Sequence, residues 1–217
     1  MPVVVDMASE YDLVGPFEKG ADLAIWSAHK FLGGPTAGIV AGRKDLVRAV
    51  FLRYRGLGRH MKVGKEGILG TIAALEAWGR RDHAAAVARE AAILAEWEAR
   101  LADVPGLGLV RRPDWTGNPI TRLELTLDPA TAGLQAWELA DRLSGGDPAI
   151  HVRDDHAEHQ RLHLDPCNVT VEEARLVGAA IAEEIARALA TADGRRTTLA
   201  ERRRRLADAA RCWPDGL

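Results

Sequence analysis

The chain has 217 residues, with 29 lysines and arginines against 31 aspartates and glutamates, so its formal net charge is −2. This length can bury a full core in one large domain or two smaller ones. The balanced charge argues against a nucleic-acid-binding surface over the whole chain. Two widely separated cysteines form neither a disulfide framework nor a metal-spaced set, and no stretch approaches the roughly 18 apolar residues of a membrane span, so we expect a cytoplasmic protein.

Two predicted strands near the start each lead to a residue that can carry chemistry. The apolar run Val3–Val5 ends in Asp6 and is typical of a parallel strand buried on both faces. The next strand pattern, residues 21–26, leads through a small-residue turn to Lys30. Ligands of open α/β sheets bind outside the carboxyl ends of the strands, so we expect Asp6 and Lys30 to face one crevice.

Asp6 and Lys30 are the two kinds of group that pyridoxal phosphate (PLP) chemistry needs most. A lysine that ends a buried strand is desolvated, which makes its neutral amine available as a nucleophile toward a carbonyl. A carboxylate beside the pyridine nitrogen keeps that nitrogen protonated, so the ring can accept electrons. Position alone leaves plainer alternatives open, namely a surface lysine at a strand end and an aspartate that caps a turn.

The motifs around these two residues resemble those of a known enzyme family. Positions 5–10 read Val-Asp-Met-Ala-Ser-Glu, and positions 27–35 read Ser-Ala-His-Lys-Phe-Leu-Gly-Gly-Pro. Both are similar to fold-type I PLP-dependent enzymes. More narrowly, they resemble selenocysteine synthase (L-seryl-tRNA(Sec) selenium transferase) and its homologue D-glucosaminate-6-phosphate ammonia-lyase, over roughly residues 1–190.

This resemblance implies an α/β fold with a mainly parallel large-domain sheet, followed by a small α+β C-terminal domain. Residues 1–66 would be a remnant of the PLP-binding large domain, and residues 67–102 would form linking helices. Residues 103–190 would be the small domain, and residues 191–217 a charged tail.

The resemblance also implies roles for individual residues. Lys30 is the lysine that would hold PLP, and Asp6 would partner the pyridine nitrogen. Four further residues of the second motif would complete the cofactor site: Ser27 and His29 through polar contacts near the phosphate or the lysine, and Gly33 and Gly34 through backbone N–H groups that approach an anion.

Enzymes of this family carry a long segment before the strand that ends in the aspartate. That segment holds a glycine-rich phosphate loop at a helix N-terminus. In this sequence only five residues precede Asp6. We therefore expect a fragment that lacks the N-terminal half, a misplaced start, or a degenerate paralogue.

The region after the lysine turn adds a strand, a helix and a basic loop. Residues 36–42 predict a strand that returns antiparallel, and a helix with apolar spacing begins at Arg43. The basic, glycine-rich loop 53–66 carries Arg59, Lys62 and Lys65, which could meet a phosphate or a carboxylate at a subunit boundary. Of these, Arg59 and Lys62 are candidates for binding substrate. The alternative is an ordinary solvated loop, since runs of charge are usually surface.

The rest of the chain predicts helices and then an α+β layer. The helical region 67–102 is interrupted near residues 80–83, and Val-Pro-Gly at positions 104–106 ends it. The elements expected after it are strands at 107–111, 121–128, 149–153 and 161–165, and helices at 133–143 and from Thr170 to about residue 190, the last opened by a capping box with Glu173.

Two features of this layer could carry chemistry. Arg153 ends the third of these strands and resembles an arginine of the family, and a guanidinium can bind a carboxylate or phosphate bidentately. Its alternative is an exposed arginine at a strand edge. Four histidines at positions 151–163 lie beside Asp154 and Asp155 and could suggest a metal site. His159 and His163 are four residues apart, but they flank an alternating stretch and do not form a helical i, i+4 pair, so a solvated hairpin fits better than a metal site.

We expect a PLP-dependent lyase or transferase that acts on an amino acid or amino sugar acid by β-elimination, β-replacement or ammonia loss. It would act as a homodimer or higher homo-oligomer. Positions 165–168 read Asp-Pro-Cys-Asn where selenocysteine synthase usually has Asp-Leu-Arg-Thr, which weakens the assignment to selenium transfer and favours the homologous lyases. The near-neutral charge and the missing N-terminal region argue against a tRNA partner. The alternatives are an enzyme similar to class V aminotransferases and a non-catalytic fragment or paralogue.

Overall fold

The computed structural model describes residues 1–191 and 197–212. The chain divides into two compact units. The first comprises Met1–His83 with Trp115–Pro119, and the second comprises Ala84–Asp114 with the residues from Ile120 onward. Each unit combines helices with a three-stranded sheet. None of the helices in these described ranges is long and apolar enough to cross a membrane.

The first unit is built on a mixed sheet with the strand order β1-β2-β3. Its strands are β1 (Val4–Asp6), β2 (Leu23–Ser27) and β3 (Gly38–Gly42), and the short helix α1 (Gly15–Glu18) lies between the first two. β1 pairs parallel with β2, and β3 returns antiparallel beside β2. The three strands and the antiparallel return predicted from the sequence are confirmed.

The burial predicted for the first strand is wrong. Val3 and Val4 are 53% and 56% exposed, whereas Leu23, Ala24 and Trp26 of β2 are buried. The reason is the strand order: β2 lies between two strands, and within the described chain β1 pairs with β2 alone. An edge strand with one neighbour leaves part of its surface in water.

Helices follow the sheet at the positions that the sequence predicts. They are α2 (Lys44–Leu52), α3 (Lys65–Arg80) and α4 (His83–Leu101), with 3-10 turns at Arg53–Arg55 and Arg59–Met61 between the first two. The predicted interruption near residues 80–83 is confirmed, because α3 ends at Arg80 and α4 starts at His83. The division into two units falls directly after His83.

The second unit is an antiparallel sheet with helices packed on its apolar face. The strands, in the order β4-β5-β6, are β4 (Leu107–Pro113), β5 (Thr121–Leu127) and β6 (Arg161–Leu164), and the helices after α4 are α5 (Pro129–Ala132), α6 (Ala136–Ser144), α7 (Val171–Ala190) and α8 (Leu199–Cys212). Its core holds Ile93, Trp97 and Leu101 of α4 with side chains of the sheet, α6 and α7. The predicted capping box of α7 is confirmed, since Thr170 and Glu173 bond each other's backbone N–H groups.

The strand predicted at residues 149–153 does not form. Only Arg153 pairs with the sheet, through an isolated bridge to His163. The N–H of Ile150 donates instead to the carbonyl of Leu143 at 2.8 Å. This hydrogen bond ties the segment to the end of α6 and not to β6.

Polar side chains alternate with apolar ones along β5, and one of the polar side chains is buried. Glu124 on this central strand is only 5% exposed. Arg112 donates to its carboxylate at 2.9 Å, and His163 Nε2 lies 3.2 Å from it. Burial alone would raise the pKa of Glu124, but the hydrogen bonds and charges of these two neighbours hold it below its ordinary value.

The predicted charged tail contains an ordered helix, α8, while residues 192–196 and 213–217 lie outside the described residues. Although α8 buries none of its residues, ion pairs hold it on the second unit. Arg202 donates to Asp141 at 2.9 Å and also pairs with Asp154. Arg203 pairs with Glu158 at 2.5 Å.

Candidate cofactor site

Asp6 and Lys30 lie at the same end of the first-unit sheet. Asp6 is the last residue of β1, which runs parallel to β2 with Asp6 opposite Ile25. Lys30 follows three residues after Ser27, the last residue of β2. Both residues are therefore at the carboxyl ends of neighbouring parallel strands, the position where ligands bind in open α/β sheets.

The loop after β1 reaches the amine of Lys30. Asp6 Oδ1 accepts a hydrogen bond from the N–H of Ala8 at 2.9 Å, which folds the loop back beside the strand end. Lys30 Nζ then donates to Oγ of Ser9 at 2.5 Å. The sequence alone does not predict a role for Ser9, although this residue stands in the motif at positions 5–10. A serine in a loop gives no sign of a partner 21 residues away.

The desolvation expected of Lys30 is not observed. Lys30 and His29 are both exposed, as are Asp6 and Ser9. The turn after β2 lies at the surface of the unit, and it is Ala28 and Leu32 that point inward, at 0% and 9% exposure. Lys30 thus extends into solvent and contacts the β1 loop.

Gly33 and Gly34 shape the turn. The N–H of Gly33 donates to the carbonyl of Lys30 at 2.9 Å, and that of Gly34 to the carbonyl of Ala28 at 2.7 Å. Both N–H groups are therefore occupied, so the anion contact expected of them is not available in this structure. Gly33 has a φ of +67°, and a Cβ on Gly34 would lie 3.0 Å from the side chain of Ala74, which explains both glycines.

The site has room beside the lysine turn. Ser27, the last residue of β2, pairs with Gly38 at the start of β3. A Cβ built on Gly33 or on Gly38 meets no described atom within 4 Å. An amine, a carboxylate and a hydroxyl at the strand ends, next to open space, are a donor set that fits an aldehyde-bearing aromatic cofactor.

The three cations predicted to bind substrate belong to other segments of the chain. Arg59 lies in a 3-10 turn with Lys62 just after it, and both side chains are exposed. Arg153 belongs to the second unit. There it is half exposed, 3.4 Å from Asp155 and 3.9 Å from Asp165.

A family model matches the region that contains the candidate site. The family model described as L-seryl-tRNA selenium transferase matches residues 5–101, which include both motifs. Residues 5–101 therefore resemble this family. The resemblance inferred from the residues around Asp6 and Lys30 is confirmed.

Three curated relatives extend the match into the second unit. A 5'-C-glycyluridine monooxygenase-decarboxylase from Streptomyces sp is 40% identical over 166 residues, 76% of this chain and 42% of the relative. The D-glucosaminate-6-phosphate ammonia lyase of Salmonella typhimurium is 32% identical over 183 residues, 84% of this chain and 48% of the relative. An L-seryl-tRNA(Sec) selenium transferase from Solidesulfovibrio magneticus is 26% identical, over 76% of this chain and 38% of the relative. The chain spans less than half the length of each.

Solved structures confirm the fold class. A D-glucosaminate-6-phosphate ammonia-lyase superposes with a TM-score of 0.68 and 31% identity, covering 86% of this chain and 50% of that one. An alanine–glyoxylate aminotransferase from Nostoc sp. superposes with a TM-score of 0.57 at 17% identity, covering 86% of this chain and 54% of that one, which shows the fold alone. Both matches support the α/β fold expected of fold-type I enzymes.

Proposed function

We propose that this chain is part of a PLP-dependent lyase or transferase, with Lys30 as the cofactor lysine. The observation that carries the proposal is the placement of Lys30 and Asp6 at the ends of two adjacent parallel strands, within the region that matches the family. When bound, PLP supplies an aldehyde that an amine can hold and a pyridine ring that accepts electrons. Lys30 holds the aldehyde and, once released, moves a proton.

The neighbouring residues support these two in the proposal. Asp6 keeps a proton on the pyridine nitrogen, because a carboxylate beside it favours the charged form. Ser27 and His29 make polar contacts near the phosphate or the lysine. Gly33 and Gly34 keep the turn in the shape that presents Lys30, a role supported by the hydrogen bonds that their N–H groups make inside the turn.

Arg59, Lys62 and Arg153 are the residues that we propose for binding the anionic groups of a substrate. Arg59 and Lys62 have exposed cationic side chains on the first unit. The guanidinium of Arg153 lies 3.4 Å from a carboxylate oxygen of Asp155 and 3.9 Å from one of Asp165. Because its side chain is half exposed, the guanidinium is still accessible to an anion.

The proposed reaction is β-elimination, β-replacement or ammonia loss on an amino acid or amino sugar acid. The 32% identity to an ammonia lyase supports this choice, as does the sequence Asp-Pro-Cys-Asn at positions 165–168. A second candidate is decarboxylation of a glycyl-bearing nucleoside, which the 40% identity to a 5'-C-glycyluridine monooxygenase-decarboxylase favours. Both begin with the amine of Lys30.

We further propose that another protein surface covers the first unit in the working enzyme, which we infer to be a cytoplasmic homo-oligomer. This proposal is supported by large apolar side chains on and around α2 and α3 that are exposed to solvent. These residues are Phe51, Leu52, Leu57, Met61, Ile68, Leu69 and Ile72. The relatives are more than twice as long as the segment that they share with this chain.

The test is a titration of the purified chain with PLP, followed by absorption spectroscopy. Wild type and Lys44→Ala, a control at another lysine of the same unit, should develop the absorption band of a lysine-bound cofactor, and Lys30→Ala should not. A band of equal strength in Lys30→Ala would contradict the assignment of the lysine. A wild-type chain without the band would favour the non-catalytic alternative.

A further inference from the structure

The loop between β1 and α1, residues 7–14, is held at several points. The N–H of Met7 donates to the carbonyl of Ile25 at 2.8 Å, which extends the β1–β2 pairing by one residue. At the other end Asp12 Oδ1 accepts from the N–H groups of Val14 and Gly15, each at 2.9 Å. Both ends of the loop are therefore fixed, and Ser9 lies between them.

Tyr11 anchors the middle of this loop. Its backbone N–H donates to Oδ1 of Asn118 at 2.7 Å, and its hydroxyl bonds Nδ1 of His83. His83 Nε2 lies 3.2 Å from the carbonyl of Trp78, which can only accept, so Nε2 carries the proton. Nδ1 is then the acceptor, and the Tyr11 hydroxyl is the donor.

The ring of Tyr11 also joins this loop to the lysine turn. It packs edge-on against Phe31, with centroids 5.4 Å apart, and against Trp78 at 4.5 Å. Phe31 directly follows Lys30 in the chain. Through Tyr11 the β1 loop, the lysine turn and the end of α3 therefore share one aromatic cluster.

Ser9 is held on two sides. Its carbonyl accepts from Nδ2 of Asn118 at 3.4 Å, the same side chain that holds Tyr11. Its hydroxyl accepts from Lys30 Nζ. A lysine side chain has four flexible carbons, so one fixed acceptor decides much of where its amine points.

We propose that Ser9 is a further functional residue of the lysine site, which orients the amine of Lys30, and that Tyr11 is the positioning residue that keeps Ser9 in place. The proposal rests on the proposed function, in which Lys30 is the cofactor lysine. Attack on an aldehyde requires the amine to be aligned with the carbonyl carbon, and misplacement of a reacting group slows such a step steeply. If the hydroxyl of Ser9 is removed, the amine of Lys30 remains but its orientation is no longer fixed by a hydrogen bond.

The test uses two readouts on Ser9→Ala, Ser9→Thr and Tyr11→Phe. The first is the rate at which PLP becomes attached to Lys30, trapped with borohydride and measured by peptide mapping. The second needs no cofactor: acetylation of Lys30 by limiting acetic anhydride, relative to Lys44 in the same sample. Ser144→Ala and Tyr54→Phe are matched controls at other positions.

Ser9→Ala should slow attachment of PLP about tenfold, because the amine loses its direction. The same variant should raise acetylation of Lys30 relative to Lys44 about threefold, because one hydrogen bond no longer holds the amine. Ser9→Thr keeps the hydroxyl and should restore both values. Tyr11→Phe should slow attachment about fivefold through the lost bond to His83, and both controls should match wild type.

The two readouts separate failure of this inference from failure of the proposed function. If wild type attaches PLP to Lys30 and Ser9→Ala matches it in both readouts, the role of Ser9 is wrong and the function stands. If wild type attaches none, the proposed function is wrong for this chain. The acetylation ratio then still decides whether Ser9 holds the amine, with an unchanged ratio overturning that contact.

Discussion

The two units of this chain treat their apolar side chains differently. In the second unit Ile93 and Trp97 are 0% and 1% exposed, inside a core contributed by one sheet and several helices. In the first unit Phe51 and Leu69 are 63% and 67% exposed. The largest apolar side chains of the second unit are therefore buried in one core, whereas many of those in the first unit are exposed to water.

This difference in burial between the two units concerns the candidate site. Lys30 and Asp6 belong to the unit with the exposed apolar surface. Full burial of a leucine or phenylalanine side chain contributes about 1.5–3 kcal/mol, so covering several of them would stabilise the first unit substantially. A protein surface that covered this unit would also exclude water from Lys30, and a desolvated lysine is the state that its chemistry favours.

The largest expected effect is in the core of the second unit. Trp97→Ala removes a large buried side chain and its hydrogen bond from Nε1 to the carbonyl of Ala174, which is 3.0 Å long. We expect the free energy of unfolding to fall by about 3–5 kcal/mol in denaturant titrations. Trp115→Ala, at a side chain that is 92% exposed, is the control and should change it by less than about 0.5 kcal/mol. Equal losses would contradict the contrast in burial.

A smaller effect is expected where α8 meets the second unit. Arg202 is 12% exposed in its side chain and pairs with Asp141 and Asp154. Arg202→Ala should lower the free energy of unfolding by about 2 kcal/mol, because Asp154 loses its arginine partner and Asp141 keeps only its pair with Arg205. Arg204→Ala, at an exposed residue of the same helix, should change it by less than about 0.5 kcal/mol. Similar losses from both variants would show that α8 is not held by Arg202.

Acid should weaken the second unit. Burial alone would raise the pKa of Asp165, but the N–H of Cys167 and the guanidinium of Arg122 hold it below its ordinary value. A carboxyl group with a lowered pKa contributes stability above its unfolded pKa and loses it as the pH falls through the lowered value. Burial also lowers the pKa of His163 from 6.5, so its contribution to stability is lost as the pH falls below about 6.5.

Thermal unfolding as a function of pH checks this prediction. The Tm of the wild-type chain should fall steadily as the pH is lowered from neutral. Asp165→Asn should have a lower Tm at pH 7 and a shallower loss below about pH 4, since its amide does not titrate. An unchanged acid slope in this variant would exclude Asp165 as a source of the pH dependence.

The smallest effect should come from the exposed surface of the first unit. Leu69 is 67% exposed, so Leu69→Ala should change the free energy of unfolding by less than about 0.5 kcal/mol. Leu139→Ala, at a fully buried residue of the second unit, should cost about 2–5 kcal/mol. A loss above about 1 kcal/mol for Leu69→Ala would mean that another surface already covers α3 in solution.

Much of the fold could be predicted because it depends on local patterns. Alternating and apolar runs of residues predict β1 and β2, in which Asp6 pairs with Ile25. The spacing of Thr170 and Glu173 predicts the start of α7. The strand predicted at 149–153 failed for a reason that lies outside its own pattern, since the N–H of Ile150 bonds a helix carbonyl.

The parts that could not be predicted depend on contacts between distant residues. The exposure of Val4 follows from the number of strands beside β1, which a run of valines does not reveal. The sequence predicts only a charged tail where α8 forms, because the acidic partners of its arginines are distant in the chain. Asp141 is 61 residues from Arg202, and Glu158 is 45 residues from Arg203. The bond from Lys30 to Ser9 likewise joins two loops that the sequence keeps apart.

The central claim is that Lys30 is the residue to which PLP becomes attached. Borohydride reduction of the wild-type chain with PLP, followed by peptide mapping, tests it most directly. The account predicts one dominant modified residue, Lys30, with the exposed Lys19 and Lys44 modified only at background level. Modification spread evenly over these three lysines, or absent from Lys30, would contradict it.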